Sequence, residues 1–153
     1  MRILSLDIGD VRTGVAISDA GGTVASPLDV LETRELLANG SLLQRVICDY
    51  DVEHVVIGLP LSLNGEEGPQ ARHVRSLAKK LLVGCGWIEH NDDISTDERV
   101  SFFDERFSST EAKRVMADSR YTSKQMRGSL DKIAAAIFLQ SYLEHLSHDE
   151  EKD

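Results

Sequence analysis

The sequence predicts an α/β domain: a mixed sheet of five strands flanked by helices in three layers. Three observations predict it. The chain opens with three strand-like segments at hairpin distances, which read as an antiparallel meander. Its second half alternates buried strand-like runs with helix-period stretches, and that alternation calls for parallel strands joined by helical crossovers. Finally, 153 residues with 41% hydrophobic content and three prolines can bury one core of ordinary size, which excludes a disordered chain.

Residues 2–8 (RILSLDI) are almost continuously apolar, as in a strand buried on both faces, and residues 9–13 form the turn after it. Residues 14–18 (GVAIS) pair back as the second strand. The third, over residues 23–31, belongs at the sheet edge because Pro27 has no amide to donate to a ladder. From about Leu36 to Tyr50 the spacing of Leu42, Leu43, Val46, Ile47 and Tyr50 is helical. Val55–Leu59 (VVIGL) is a second buried strand. Residues 70–82 are an amphipathic helix with Pro69 at its start. Val100–Phe103 (VSFF) is the fifth strand, and Ser108-Ser109-Thr110-Glu111 has the form of a capping box opening a helix to about Ala117. Residues 130–146, rich in alanine, make the last helix. The expected organisation is one domain over residues 1–147 and a disordered acidic tail over 148–153.

Asp and Glu total 26 against 17 Lys and Arg, for a net charge of −9. This excludes a generally basic nucleic-acid binder of the histone type, but not a local basic face. Cys48 and Cys85 have no CxxC or metal-spaced partner and read as small buried hydrophobes in a reducing compartment. His145 and His148 read as surface histidines beside the acidic tail. No segment approaches the roughly 20 apolar residues of a spanning helix, so the expected location is cytoplasmic, with no membrane partner.

Three acids stand at the ends of elements. Asp7 ends the first strand, where a carboxylate must be hydrogen-bonded, paired or holding a cation; it either caps the following turn or serves as a ligand. Asp104 and Glu105 follow the last strand and point to opposite faces if it continues, so only one of them can share a site with Asp7. An ion pair with Arg106 is the alternative for Glu105. Asp131 falls in the first turn of the last helix, where the helix dipole favours a carboxylate whatever its role. Together the three would suit a hard divalent cation, as in nucleases that hold two ions to activate water and stabilise a leaving oxygen.

Four stretches carry a resemblance: LSLDIGDVRTGVAISD (Leu4 to Asp19), VVIGLPLSLNGEEG (Val55 to Gly68), FDERFSSTEAKRVM (Phe103 to Met116) and SLDKIAAAIFLQSYLE (Ser129 to Glu144). In these and in their order the chain resembles the YqgF-type proteins of the RNase H-like superfamily, described as Holliday junction resolvases and as pre-16S rRNA nucleases. The resemblance implies an RNase H-like fold and places Asp7, Glu105 and Asp131 at the metal-binding catalytic positions, for Mg²⁺ or Mn²⁺. It implies a phosphodiester hydrolase that processes the 5′ end of pre-16S rRNA in ribosome biogenesis, in contact with ribosomal precursor particles, or that resolves branched DNA. One departure is residues 84–99, acidic and longer than the family leads one to expect, which either project away as a solvated excursion or gate the approach to Glu105.

Against the overall sign, residues 69–82 carry four basic residues and no acid, and residues 111–132 carry six against three. Candidate phosphate contacts are Arg12, Arg72, Arg75, Arg106, Lys113, Arg114, Arg120, Lys124 and Arg127. Residues 58–69 lead from a strand into a helix start and could hold an anion on backbone amides, but they lack GxxxxGK[ST] and are no P-loop. Two other classes stand beside the nuclease. An ATPase of the actin and sugar-kinase type shares the strand-Asp-x-Gly opening but needs two such domains. A non-catalytic RNA- or protein-binding factor could keep the fold, though it would not need all three acids. A two-fold dimer would suit symmetric junction cleavage; a monomer would serve otherwise.

Overall fold

The computed structural model describes residues 1–105 and 130–152. Along them run β1 (Ile3–Ile8), β2 (Arg12–Ser18), β3 (Ala25–Glu32), α1 (Thr33–Ala38), α2 (Ser41–Asp49), β4 (His54–Leu59), α3 (Pro69–Gly84), β5 (Val100–Asp104) and α4 (Leu130–Lys152). The strands form one mixed sheet in the order β3-β2-β1-β4-β5. The meander β1-β2-β3 is antiparallel, and β4 and β5 add in parallel beside β1. Central β1 and β4 are buried along nearly their whole length, as their unbroken apolar runs require. On the edge, β3 carries a bulge: Val15 pairs with Asp29 and Ala16 with Pro27, so Leu28 is the extra residue where the proline interrupts the ladder.

The two faces of the sheet have different covers. Leu4, Leu6, Val15, Val55 and Ile57 pack beneath Leu36 of α1, Leu43 of α2 and Val74, Ala78 and Leu81 of α3. Ile3, Ala16, Val56 and Phe103 pack against Ala135, Ala136, Phe138 and Leu139 of α4. Because strand side chains alternate, odd-numbered residues of β1 face α4, as do even-numbered residues of β4.

Several expectations are corrected. The helix expected over 36–50 is two helices, broken where Asn39 adopts an extended conformation and its side chain accepts bonds from the Ser41 amide and hydroxyl. There the Gly40 backbone lies against the Gly84 carbonyl at the end of α3, and a Cβ would have no room. The 148–153 stretch is not a disordered tail as far as Lys152, since α4 continues to that residue. Nothing between Ser147 and Lys152 is a helix breaker, and Glu150, Glu151 and Lys152 are good helix formers. Cys48 is exposed on α2, whereas Cys85 is buried as expected. The helix expected over 108–117 lies outside the described residues.

Residues 84–99 tuck Ile88 and Ile94 into the core, while their acids serve local turns: Asp92 accepts the Glu89 amide, Asp93 the Ser95 amide and hydroxyl, and Asp97 pairs with Arg99 at 3.0 Å. The segment enters β5 at its amino end, whereas Glu105 follows the carboxyl end, about 15 Å of extended chain away. Among the described residues, no helix is long and apolar enough to cross a membrane.

Candidate active site

Asp7 stands one residue from the end of β1, opposite Gly14 of β2, on the face covered by α4. On β5, Phe103 belongs to that same face and Phe102 to the opposite one. Glu105, just past the end of β5, lies against Gly58 and on the side of Asp7. The strand between them is β4, and the residue it offers at this level is Gly58, paired with Phe103. A Cβ on Gly58 would lie 2.5 Å from Glu105 Oε1, 3.1 Å from its Cγ and 3.2 Å from its Cδ. The Glu105 side chain therefore lies across bare β4 backbone, the use a glycine inside a buried strand serves.

It reaches Asp7. The Glu105 carboxyl hydrogen-bonds that of Asp7. Burial raises its pKa first, then the bond to Asp7 and the charges of Asp7 and Asp104, to about 8. Two carboxyl groups in hydrogen-bond contact resist ionising together unless a cation lies between them.

The third expected acid, Asp131, lies in the first turn of α4; its side chain is outside the described part, and among the described residues no group of three metal-ligating side chains occurs. The course of α4 is clear, however. Ile3 and Leu143 line one cavity at the amino end of β1, while further along the strand Ser5 Oγ donates to the Ala135 carbonyl at 3.0 Å. The helix runs antiparallel to β1, and its first turn comes to the Asp7 end.

At this end of the sheet lie the β1–β2 turn and the loop before α3, which follow the carboxyl ends of β1 and β4. The β1–β2 turn is closed by the Gly9 amide on the Arg12 carbonyl at 2.9 Å and fastened to α1 by Thr33 Oγ1 on the Gly9 carbonyl at 2.6 Å. From α3, His73 Nε2 meets Asp10 Oδ1 at 2.7 Å. Arg12 is exposed at this end of the sheet. Arg72 and Arg75 are also here, but both hold the loop before α3: Arg72 Nη1 donates to the Glu67 carbonyl at 3.2 Å, and Arg75 donates twice to Glu67 Oε1, at 2.8 and 2.5 Å. Arg75 also covers the Phe102 ring, 4.1 Å from its centroid. Arg106, Lys113, Arg114, Arg120, Lys124 and Arg127 lie outside the described residues.

The family described as RuvX: Holliday junction resolvase matches residues 1–145. The chain belongs to the RuvX family. Relatives bearing the name "Putative pre-16S rRNA nuclease" include that of Moorella thermoacetica, 36% identical over 97% of this chain and 99% of its own, and that of Syntrophomonas wolfei, 36% identical over 94% of each. Among solved structures, Thermus thermophilus RuvC covers 95% of this chain and 96% of its own with a TM-score of 0.55 at 14% identity. Fowlpox virus resolvase in complex with Holliday junction DNA covers 95% and 99% with a TM-score of 0.51 at 15% identity. These two share the RNase H-like fold with the RuvX-family chain, whose mixed sheet and α4 match the predicted architecture.

Within this RuvX-family chain, the sequence reading missed Gly58 as part of the site. Its signal was present: one glycine inside the otherwise bulky run VVIGL marks a close approach by another group. It also missed the ties that Arg75 makes to Glu67 and His73 to Asp10, since neither spacing implies a contact.

Proposed function

We propose that the chain is a divalent-metal-dependent endonuclease acting on structured nucleic acid, with Asp7, Glu105 and Asp131 as its metal ligands. The observation that carries this reading is the Asp7–Glu105 pair, two carboxyl groups held together across Gly58. The donor set is all oxygen, which suits Mg²⁺ or Mn²⁺. When bound, such ions stabilise the attacking and leaving oxygens of an in-line displacement at phosphorus. The chain's own part is to hold two acids, from the ends of strands on either side of β4, at the end of the sheet where α4 begins, with a proton that a bound ion would displace, and to present Arg12 at the same end for a phosphate.

The names carried by the relatives favour pre-16S rRNA as substrate, and the role we propose with it is processing of the 5′ end in precursor particles. The family description and the junction-bound resolvase of the same fold favour branched DNA as the second reading. A cytoplasmic location suits either substrate; a two-fold dimer suits the second, a monomer the first. Offering pre-rRNA and four-way DNA junctions side by side with Mn²⁺ tests both. Cleavage of the RNA at a defined 5′ position supports the first reading, and paired symmetric nicks in the junction support the second. Cleavage of neither contradicts the assignment.

A further inference from the structure

We infer that Ser5 is a positioning residue for the metal site: its hydroxyl fixes the register of α4 on β1 and so brings Asp131 to the level of Asp7. The inference rests on the nuclease reading above. Ser5 is completely buried, 0% exposed, in an otherwise apolar layer formed by Ile3, Ala16, Val56, Ala135 and Ala136. A hydroxyl there is costly unless bonded, and it donates to the Ala135 carbonyl at 3.0 Å. In a helix that carbonyl already accepts the amide four residues on, so the helix does not need Ser5 to complete its own hydrogen bonding. The bond's consequence is where the helix lies.

The steps on the two elements match. From Ser5 to Asp7 is two residues along a strand, about 6.6 Å, with both side chains on one face. From Ala135 back to Asp131 is four residues along a helix, about 6 Å and a little over one turn of backbone. Because α4 runs antiparallel to β1, both steps lead toward the same end of the sheet. The face that α4 lays on the sheet near Ser5 is alanine, at Ala135 and Ala136, and side chains so small interlock weakly. A slip of one residue would move the helix by about 1.5 Å and turn it by about 100°, carrying Asp131 away from Asp7. Among the described residues, further polar ties of α4 lie beyond Ala135, including Gln140 to Ala25 and Thr23 at 2.9 and 3.1 Å and Tyr142 to Ser101 at 3.2 Å. Among the described residues, Ser5 makes the side-chain bond closest in sequence to the Asp131 end.

The test compares Ser5→Ala, Ser5→Cys and Gln140→Ala in the full chain, titrated with Mn²⁺ alone and followed by the electron paramagnetic resonance of free Mn²⁺, with Tm measured in parallel. Losing one directional hydrogen bond should weaken Mn²⁺ binding about three- to tenfold in Ser5→Ala, and by less in Ser5→Cys, which keeps a weak donor. Gln140→Ala, with at least as large a fall in Tm, should stay within about twofold of wild type. In cleavage, Ser5→Ala should need more Mn²⁺ for half-maximal rate while the KM for nucleic acid at saturating Mn²⁺ is unchanged. Unaltered Mn²⁺ affinity in Ser5→Ala overturns the inference, as does equal weakening in Gln140→Ala, which would make affinity a mere echo of stability. If Ser5→Ala does not fold, wild-type affinity in Ser5→Cys is overturning in the same way. Mn²⁺ binding by wild type without cleavage of any nucleic acid counts against the nuclease reading, and the Ser5 comparison then still decides the inference; absence of Mn²⁺ binding in wild type overturns both.

Discussion

Glu105 hydrogen-bonds Asp7 across the bare backbone of Gly58, so that two acids from strands separated by a third share one proton. A cation and that proton compete for the same oxygens. Mn²⁺ binding should therefore release about one proton per chain at pH 6.5 and progressively less above the pKa of about 8 assigned to Glu105. Calorimetric titration in buffers of different ionisation enthalpy measures this directly. Affinity should rise with pH up to about 8 and level off; affinity flat between pH 6 and 8 would remove the shared proton from the account.

The same pair makes ion-free stability depend on pH. Glu105 has its pKa raised in the fold from 4.5 to about 8, so between those values the folded chain holds a proton that the unfolded chain has lost. Stability from this group is fully present at low pH and is lost as pH rises toward 8. Glu105→Gln keeps a neutral donor for Asp7 and should be the more stable chain at pH 8 by a few degrees of Tm, with the difference shrinking toward pH 5.

His54 adds the opposite slope. Its Nε2 meets Ser101 Oγ at 2.7 Å, its ring stacks on Tyr142, and burial holds its pKa below the usual 6.5 despite the charge of Asp97. The unfolded chain takes up a proton as pH falls through 6.5 while the fold resists it, so stability falls on acidification below neutrality. Because the Glu105 contribution is common to both chains, denaturant unfolding should show wild type losing stability relative to His54→Gln between pH 7 and 5.

Gly58→Ala tests the crossing itself. The strand should persist, but the new methyl would displace the whole distal half of Glu105. Cleavage should fall on the order of a hundredfold, the cost of roughly 1 Å of misplacement at a reacting centre, with Mn²⁺ binding weakened alongside and Tm lowered by no more than a few degrees. Activity close to wild type would show that Glu105 does not need this path.

Much of this was legible in the amino-acid sequence, for reasons that particular residues make plain. The unbroken apolar runs of β1 and β4 announce strands buried on both faces, and Pro27 announces an edge. Asp7 was legible because a carboxylate closing such a run needs a partner. Which of Asp104 and Glu105 that partner is depends on the face of β5 that turns toward α4, a tertiary fact that five residues of sequence do not contain. The close packing of Gly40 on the Gly84 carbonyl was hidden because its partner is 44 residues downstream. Arg75 read as a phosphate contact on charge alone, but a basic residue eight positions from Glu67 and stacked on Phe102 is also a loop fastener.

The most direct measurement is Mn²⁺-dependent cleavage of pre-16S rRNA and of a four-way DNA junction by Asp7→Asn beside wild type. The asparagine oxygen can still accept from protonated Glu105, so the fold and Tm should be kept. Losing an ion-binding carboxylate should cost on the order of 10³-fold or more in rate, because ion stabilisation of the reacting oxygens is worth several kcal/mol. Loss of cleavage on an intact fold is the predicted result; turnover retained in Asp7→Asn would contradict the account.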